Sequence, residues 1–175
     1  MIKESINNIS IFGGSTPFIL LIFIVFIYFL SRRDALRIFT LSMTVFSYPY
    51  SSFLKGLFKV TRPISYSPDG LIKWSNIFKS EMYSLPSTHV VFYTVFFGYL
   101  LYTTFTIKRF DSYLRHFVRI SSFTLIVLVG ISRVSLGVHN VKDVIFGYVC
   151  GLIYLFLLIK VERFLARILK EKQLK

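Results

Sequence analysis

Apolar runs recur five times along the chain, and short polar or basic stretches separate them. The runs cover residues 9–31, 36–58, 86–106, 115–134 and 141–161. Each is close to the ~20 residues with which a helix crosses the hydrocarbon layer of a bilayer. Because unpaired backbone is not tolerated against lipid, the pattern predicts an all-α fold, a polytopic membrane helix bundle of about five transmembrane helices.

The second run is the most polar of the five. It contains Pro49 and several serines and threonines, so we expect its helix to face other helices, where hydroxyls find hydrogen-bond partners. In the long connection after it, apolar side chains recur at helical spacing, at Leu71, Trp74, Phe78 and Met82. This spacing predicts a short helix in the membrane interface.

The chain is interpreted as one membrane-embedded domain, residues 1–175. Its motif-bearing core is at about 36–161, and 162–175 form a basic amphipathic cytoplasmic tail, predicted to lie on the anionic inner leaflet. In the fifth run, Gly147 and Gly151 form a pair of small residues that allows another helix to approach closely.

Basic residues outnumber acidic ones, with 21 Lys+Arg against 8 Asp+Glu. Because they cluster at the ends of apolar runs, the excess indicates membrane topology and not nucleic-acid binding. Alternating threading places 13 of them on one side, which is predicted to be cytoplasmic, with the amino terminus outside and the carboxyl terminus inside. The other 8 lie at the outer face, where they favour an anionic ligand.

Polar residues whose side chains can bind ligands or take part in catalysis cluster at the outer ends of spans two to five. Charged groups at such depths are costly unless they are paired or functional, so these residues are candidates for a site. They are Lys55, Arg62, Ser87, Thr88, His89, Arg133, His139 and Asp143.

Three cationic side chains in this set can bind phosphate oxygens. Lys55 and Arg62 are seven residues apart, so both lie near one face if the helix of span two continues that far. Arg133, at the end of span four, adds a second planar guanidinium. Pro86 suits the first turn of the next helix, whose free N–H groups at residues 87–89 also bind anions.

Two histidines complete the arrangement. His139 and Asp143, four residues apart, are expected on one face of span five, where the carboxylate would orient a nucleophilic imidazole. His89 would then protonate the leaving oxygen. Neither step needs a metal, and the outer carboxylates lack the spacing of a metal site, so we expect no metal and no other cofactor.

The motifs that carry these residues are Lys55-x6-Arg62-Pro63, Pro86-Ser87-Thr88-His89 and Ser132-Arg133-x5-His139-x3-Asp143. In order and spacing they closely resemble the three-part signature of the type 2 phosphatidic acid phosphatase family, whose vanadium haloperoxidase relatives share the site. The resemblance extends from span two to span five. The family most often has glycine where this chain has Thr88, and many members have six spans where we count five.

The resemblance implies a metal-independent phosphatase of lipid phosphates or diphosphates, acting from the outer face of the bacterial cytoplasmic membrane. The family's substrates include polyprenyl diphosphates, phosphatidylglycerophosphate, phosphatidic acid and lipid A. By position, His139 would form a phosphohistidine supported by Asp143, with His89 as the acid. The phosphate would be bound by Lys55, Arg62, Arg133 and the stretch at Ser87 and Thr88.

Two alternative functions stay open. A phosphotransferase would use the same site with an acceptor hydroxyl in place of water. A non-enzymatic protein that binds anionic headgroups would need the arginines but not the histidines. The expected partners are membrane lipids and a lipid phosphate substrate, with no nucleic acid, and the oligomeric state is left open.

Overall fold

The computed structural model describes residues 16–62, 83–107 and 111–173. Within these ranges the chain forms helices α1 Thr16–Ser31, α2 Ala35–Val45, α3 Ser47–Phe58, α4 Thr88–Thr106, α5 Ser112–Ser135 and α6 Val141–Gln173. The fold is all-α, and it is the polytopic membrane helix bundle that the hydropathy pattern predicts. The expected interfacial helix at 71–82 lies outside the described residues.

The second predicted span is divided into α2 and α3. Pro49 has no N–H to donate to the Val45 carbonyl, and its ring would clash with that carbonyl, so α2 ends at Val45. At the break the Met43 carbonyl accepts a hydrogen bond from the Tyr154 hydroxyl of α6, at 2.8 Å. As expected, most of the small hydroxyl residues of this span are buried, namely Thr40, Thr44, Ser47, Ser51 and Ser52, while Ser42 is half-buried.

Helix α4 forms the centre of the bundle. Most of its residues are buried, including Val90, Val95, Phe96 and Tyr99, each without exposed surface. A helix that is apolar on every side fits such a central position. Around it, α5 and residues 141–171 of α6 are long and apolar enough to cross a membrane.

Close packing between α4 and α6 depends on glycine. A Cβ at Gly147 would lie 3.1 Å from Val90 Cβ, and one at Gly151 would lie 2.8 Å from Thr94 Cβ. The helix that approaches the two glycines is therefore α4 of the same chain. This seam brings the amino-terminal ends of the two helices together, since the Ser87 N–H donates to the Asp143 carbonyl at 3.2 Å.

The carboxyl-terminal tail belongs to the last span. Helix α6 runs unbroken from Val141 to Gln173, 33 residues, or about 50 Å at 1.5 Å per residue. That exceeds the ~30 Å of bilayer hydrocarbon. The basic tail that was expected along the inner leaflet is thus a direct continuation of the span.

Candidate active site

Lys55 and Arg62 reach the site by different routes. Lys55 lies in the last turn of α3 and is 4% exposed. The helix ends at Phe58, and Lys59 adopts a left-handed conformation with φ 50°. The shared helix face that a longer helix would have given Lys55 and Arg62 is therefore absent, because Arg62 lies beyond the end of α3. It follows an antiparallel bridge between Thr61 and Tyr83, and its own position before a proline disfavours helical backbone.

The amino-terminal end of α4 supplies Ser87, Thr88 and His89. Ser87 is the N-cap residue of α4. The sequence predicted Pro86 in the first turn of this helix, but Pro86 lies one residue before the cap. The Ser87 hydroxyl is fully buried and has no hydrogen-bond partner within 16–62, 83–107 and 111–173. Since a buried hydroxyl is normally paired, this one is available to a ligand.

His89 lies in the first turn of α4, next to the buried Thr88. The charges of Arg133 and Lys55 act on its ring, and so does His139. In the structure, His89 therefore lies near His139 and near cations from two other helices.

The junction of α5 and α6 supplies the other groups. Arg133 lies in the last turn of α5 and is buried, and a cation is favourable at the carboxyl end of a helix. His139 lies in the connection before α6, not on the helix as predicted, and Asp143 lies in its first turn. His139 Nδ1 and Asp143 Oδ2 are 3.5 Å apart.

Asp143 is held in place by the start of its own helix. Its Oδ2 accepts the backbone N–H of Asn140 at 2.9 Å, which is the reciprocal half of a capping box. The carboxylate also gains from the positive end of the helix dipole. The local structure of α6 thus fixes the carboxylate that faces His139.

The surroundings of His139 favour its neutral form. Burial, and then the positive charges of Lys55, Arg62 and Arg133, lower the pKa of His139 from its ordinary value of 6.5 to about 3. A neutral imidazole has the lone pair that a nucleophile needs. The three cations would meanwhile attract a phosphate dianion to the same place.

One residue of the site was not singled out from the sequence. Ser84 is fully buried, and its N–H donates to the Val60 carbonyl at 2.7 Å. Its partners are more than 20 residues away along the chain, so no local pattern could reveal the contact. Among the residues that the structure describes, no group of three or more His, Cys, Asp or Glu side chains could hold a metal ion.

Comparisons with known proteins show the family and the fold to which the chain is similar. A sequence profile of the PAP2 superfamily matches residues 35–167, a range that includes all the candidate site residues. The chain is similar to a crystal structure described as the first transmembrane PAP2-type phosphatidylglycerolphosphate phosphatase from Bacillus subtilis. The two have a TM-score of 0.72 and 27% sequence identity over 93% of this chain and 77% of that one. A comparison with curated protein sequences found no match.

Proposed function

The chain belongs to the PAP2 superfamily, and from that premise we propose that it removes phosphate from a lipid phosphomonoester or diphosphate through a phosphohistidine. It is a membrane lipid phosphatase in the general sense that its family and its structural neighbour support. The observation that carries the mechanism is the convergence of three cations on His139, whose Nδ1 faces the Asp143 carboxylate at 3.5 Å.

In the first step, His139 Nε2 attacks phosphorus. A P–N bond forms while the bond from phosphorus to the lipid oxygen breaks, and that oxygen takes a proton from His89. Asp143 stabilises the positive charge that develops on His139. The distance of 3.5 Å is longer than a normal hydrogen bond, and catalytic hydrogen bonds of this kind tighten in the complex with substrate.

In the second step, water attacks the phosphohistidine. His89, now neutral, accepts a proton from the water, the P–N bond breaks, and inorganic phosphate leaves with His139 restored. Lys55, Arg62, Arg133 and the Ser87 hydroxyl stabilise the negative oxygens in both steps. Every proton and leaving group is handled by these side chains, so the reaction is proposed to be independent of metal.

The site is proposed to face the outside of the bacterial cytoplasmic membrane. His89 lies at one end of α4, while Arg119 of α5 donates to the Thr104 hydroxyl at 2.9 Å near the other end. The 15 residues between them along α4 correspond to about 22 Å. The 13 Lys and Arg residues that follow spans one, three and five are expected at the Thr104 end, which the positive-inside rule assigns to the cytoplasm.

The substrate is proposed to be phosphatidylglycerophosphate, phosphatidic acid, a polyprenyl diphosphate or lipid A. The structural neighbour is a phosphatidylglycerolphosphate phosphatase, which favours the first of these. Thr88 is buried where the family usually has glycine. Its side chain narrows the approach to the phosphate and is expected to affect substrate preference.

The test is phosphate release by the purified protein in detergent with EDTA, on each of the four lipids. The matched variants are His139→Ala and His116→Ala. His116 is exposed and its Nδ1 lies 2.8 Å from the Ser112 carbonyl, in α5, so its loss should leave turnover unchanged. Loss of release in His139→Ala alone, with an acid-labile phosphoenzyme in the wild type, supports the proposal.

Other outcomes would change the conclusion. Equal turnover by His139→Ala would disprove the phosphohistidine. Transfer of phosphate to an added lipid alcohol, with little release to water, would instead indicate a phosphotransferase. Tight lipid binding with neither phosphate release nor phosphate transfer would instead indicate a protein that binds anionic headgroups.

A further inference from the structure

Ser84 connects two parts of the proposed active site. Its hydroxyl lies 3.3 Å from the Val60 carbonyl oxygen and 3.2 Å from that of Thr61. Its N–H donates to the Val60 carbonyl at 2.7 Å. The segment that ends in Arg62 is thus bound to Ser84 by both main-chain and side-chain hydrogen bonds.

The hydroxyl contact acts on the peptide that precedes Arg62. Fixing the Thr61 carbonyl fixes the plane of the Thr61–Arg62 peptide, and with it the direction in which the Arg62 side chain leaves the backbone. Without the hydroxyl, the pairing among the described residues would depend on the bridge between Thr61 and Tyr83 and on the Ser84 N–H. The segment also has no helix to support it, because α3 ends at Phe58.

The other side of Ser84 faces the nucleophile. Its backbone carbonyl lies close enough to the His139 imidazole to raise the pKa of the ring, against the larger lowering by burial and by the three cations. Three residues further on, the Ser87 N–H donates to the Asp143 carbonyl at 3.2 Å. The stretch from Ser84 to Ser87 therefore lies between the phosphate-binding Arg62 and the pair of His139 and Asp143.

We propose that the Ser84 hydroxyl is a positioning group that holds Arg62 in the orientation required for phosphate binding. This inference rests on the proposed function, because it takes the phosphate group of the substrate as the ligand. Ser84 does not touch the reacting atoms. It acts through Arg62, by removing the freedom of the peptide that carries it.

The variant Ser84→Ala removes the hydroxyl and keeps the N–H and the carbonyl. The loss of one shared neutral hydrogen bond is expected to weaken phosphate binding about 3- to 10-fold. The dissociation constant for inorganic phosphate and the KM for the lipid should both rise by this factor. Because the carbonyl next to His139 remains, kcat should change less than about 2-fold.

Ser47→Ala is the matched control. Ser47 is also fully buried, and its hydroxyl donates to the Thr44 carbonyl at 2.7 Å, but it lies at the break between α2 and α3. Its loss should reduce thermal stability as much as the loss of the Ser84 hydroxyl. It should leave the phosphate dissociation constant unchanged.

A double-mutant cycle separates positioning from general destabilisation. In an Arg62→Lys background, Ser84→Ala should weaken phosphate binding less than about 2-fold, because the planar guanidinium that it orients is gone. An equal effect in both backgrounds would overturn the proposal. So would a phosphate dissociation constant in Ser84→Ala that is the same as in the wild type.

Two provisions keep the test decisive. If Ser84→Ala does not fold, Ser84→Cys carries the same expectation, since its thiol is a weak donor of similar size. Phosphate binding is measured without turnover. If the wild type binds phosphate but His139→Ala is as active as the wild type, the proposed function fails while the positioning of Arg62 is still tested.

Discussion

Replacing Gly151 with alanine should force α4 and α6 apart. The added Cβ would lie 2.8 Å from Thr94 Cβ and 3.1 Å from the Val91 carbonyl oxygen. Neither neighbour can rotate away, because one is attached directly to the α4 backbone and the other is part of it. With ordinary contact beginning at 3.4 Å, the helices must separate by about 0.6 Å at this level.

The energetic consequence has two opposing parts. Overpacking of a tight contact costs about 1–3 kcal/mol. Replacing glycine by alanine within a helix raises the free energy of unfolding by up to ~1 kcal/mol, because alanine has the higher helix propensity. Gly56→Ala isolates the second part, because a Cβ at Gly56 in α3 would meet nothing within 4 Å. The free energy of unfolding should therefore be about 1–3 kcal/mol lower in Gly151→Ala than in Gly56→Ala.

The assay is reversible unfolding in mixed detergent micelles, with phosphate release measured on the same preparations. Separation of the seam should also reduce activity, because the 3.2 Å contact between the Ser87 N–H and the Asp143 carbonyl crosses it. Equal stability of the two alanine variants would refute the packing argument. Full activity in a destabilised Gly151→Ala would show that the seam and the site are independent.

Three further predictions concern single side chains. Because the pKa of His139 is lowered to about 3, its ring signals in a nuclear magnetic resonance titration should not change between pH 8 and pH 5. The free energy of unfolding should be unaffected by His139 above its ordinary pKa of 6.5 and should decline as the pH falls from 6.5 towards 3, because only the unfolded chain then binds the proton. A midpoint near pH 6.5 in the titration of the ring signals would contradict both expectations. Tyr154→Phe removes the hydrogen bond to the Met43 carbonyl and should lower the free energy of unfolding by about 1 kcal/mol with kcat unchanged, whereas a loss of kcat alone would argue against a structural role. Asp143→Asn keeps an oxygen for the Asn140 N–H, so it should be more stable than Asp143→Ala, yet release phosphate at least ~100-fold more slowly than wild type; unchanged release would remove Asp143 from the mechanism.

Much of the bundle follows from local properties of the chain. The length and hydropathy of the runs predict the helices, since a spanning segment must satisfy its own backbone. The polar second span was expected to face other helices, and most of its hydroxyl residues are buried. The break at Phe46 was not predicted, although Pro49 is its cause. A proline can be accommodated by a bend or a break, and neighbouring helices decide which.

For the candidate site, too, some features follow from the local sequence and others only from the fold. Residue identity and spacing within each motif suggest the proposed chemistry, because the proposed nucleophile, acid and phosphate-binding cations are side-chain groups that the sequence names directly. Spacing also places His139 and Asp143 together, since the start of α6 lies between them. It could not place Arg62, whose helix ends early and whose position depends on pairing with residues beyond a long connection.

Tertiary structure alone decided how the three motifs meet. The contact of Ser84 with Thr61 and the approach of α4 to Gly151 each join residues far apart in sequence. The low pKa of His139 likewise arises from burial and from charges on other segments. Such effects depend on distances through space. The sequence gives only separations along the chain, so it could not predict them.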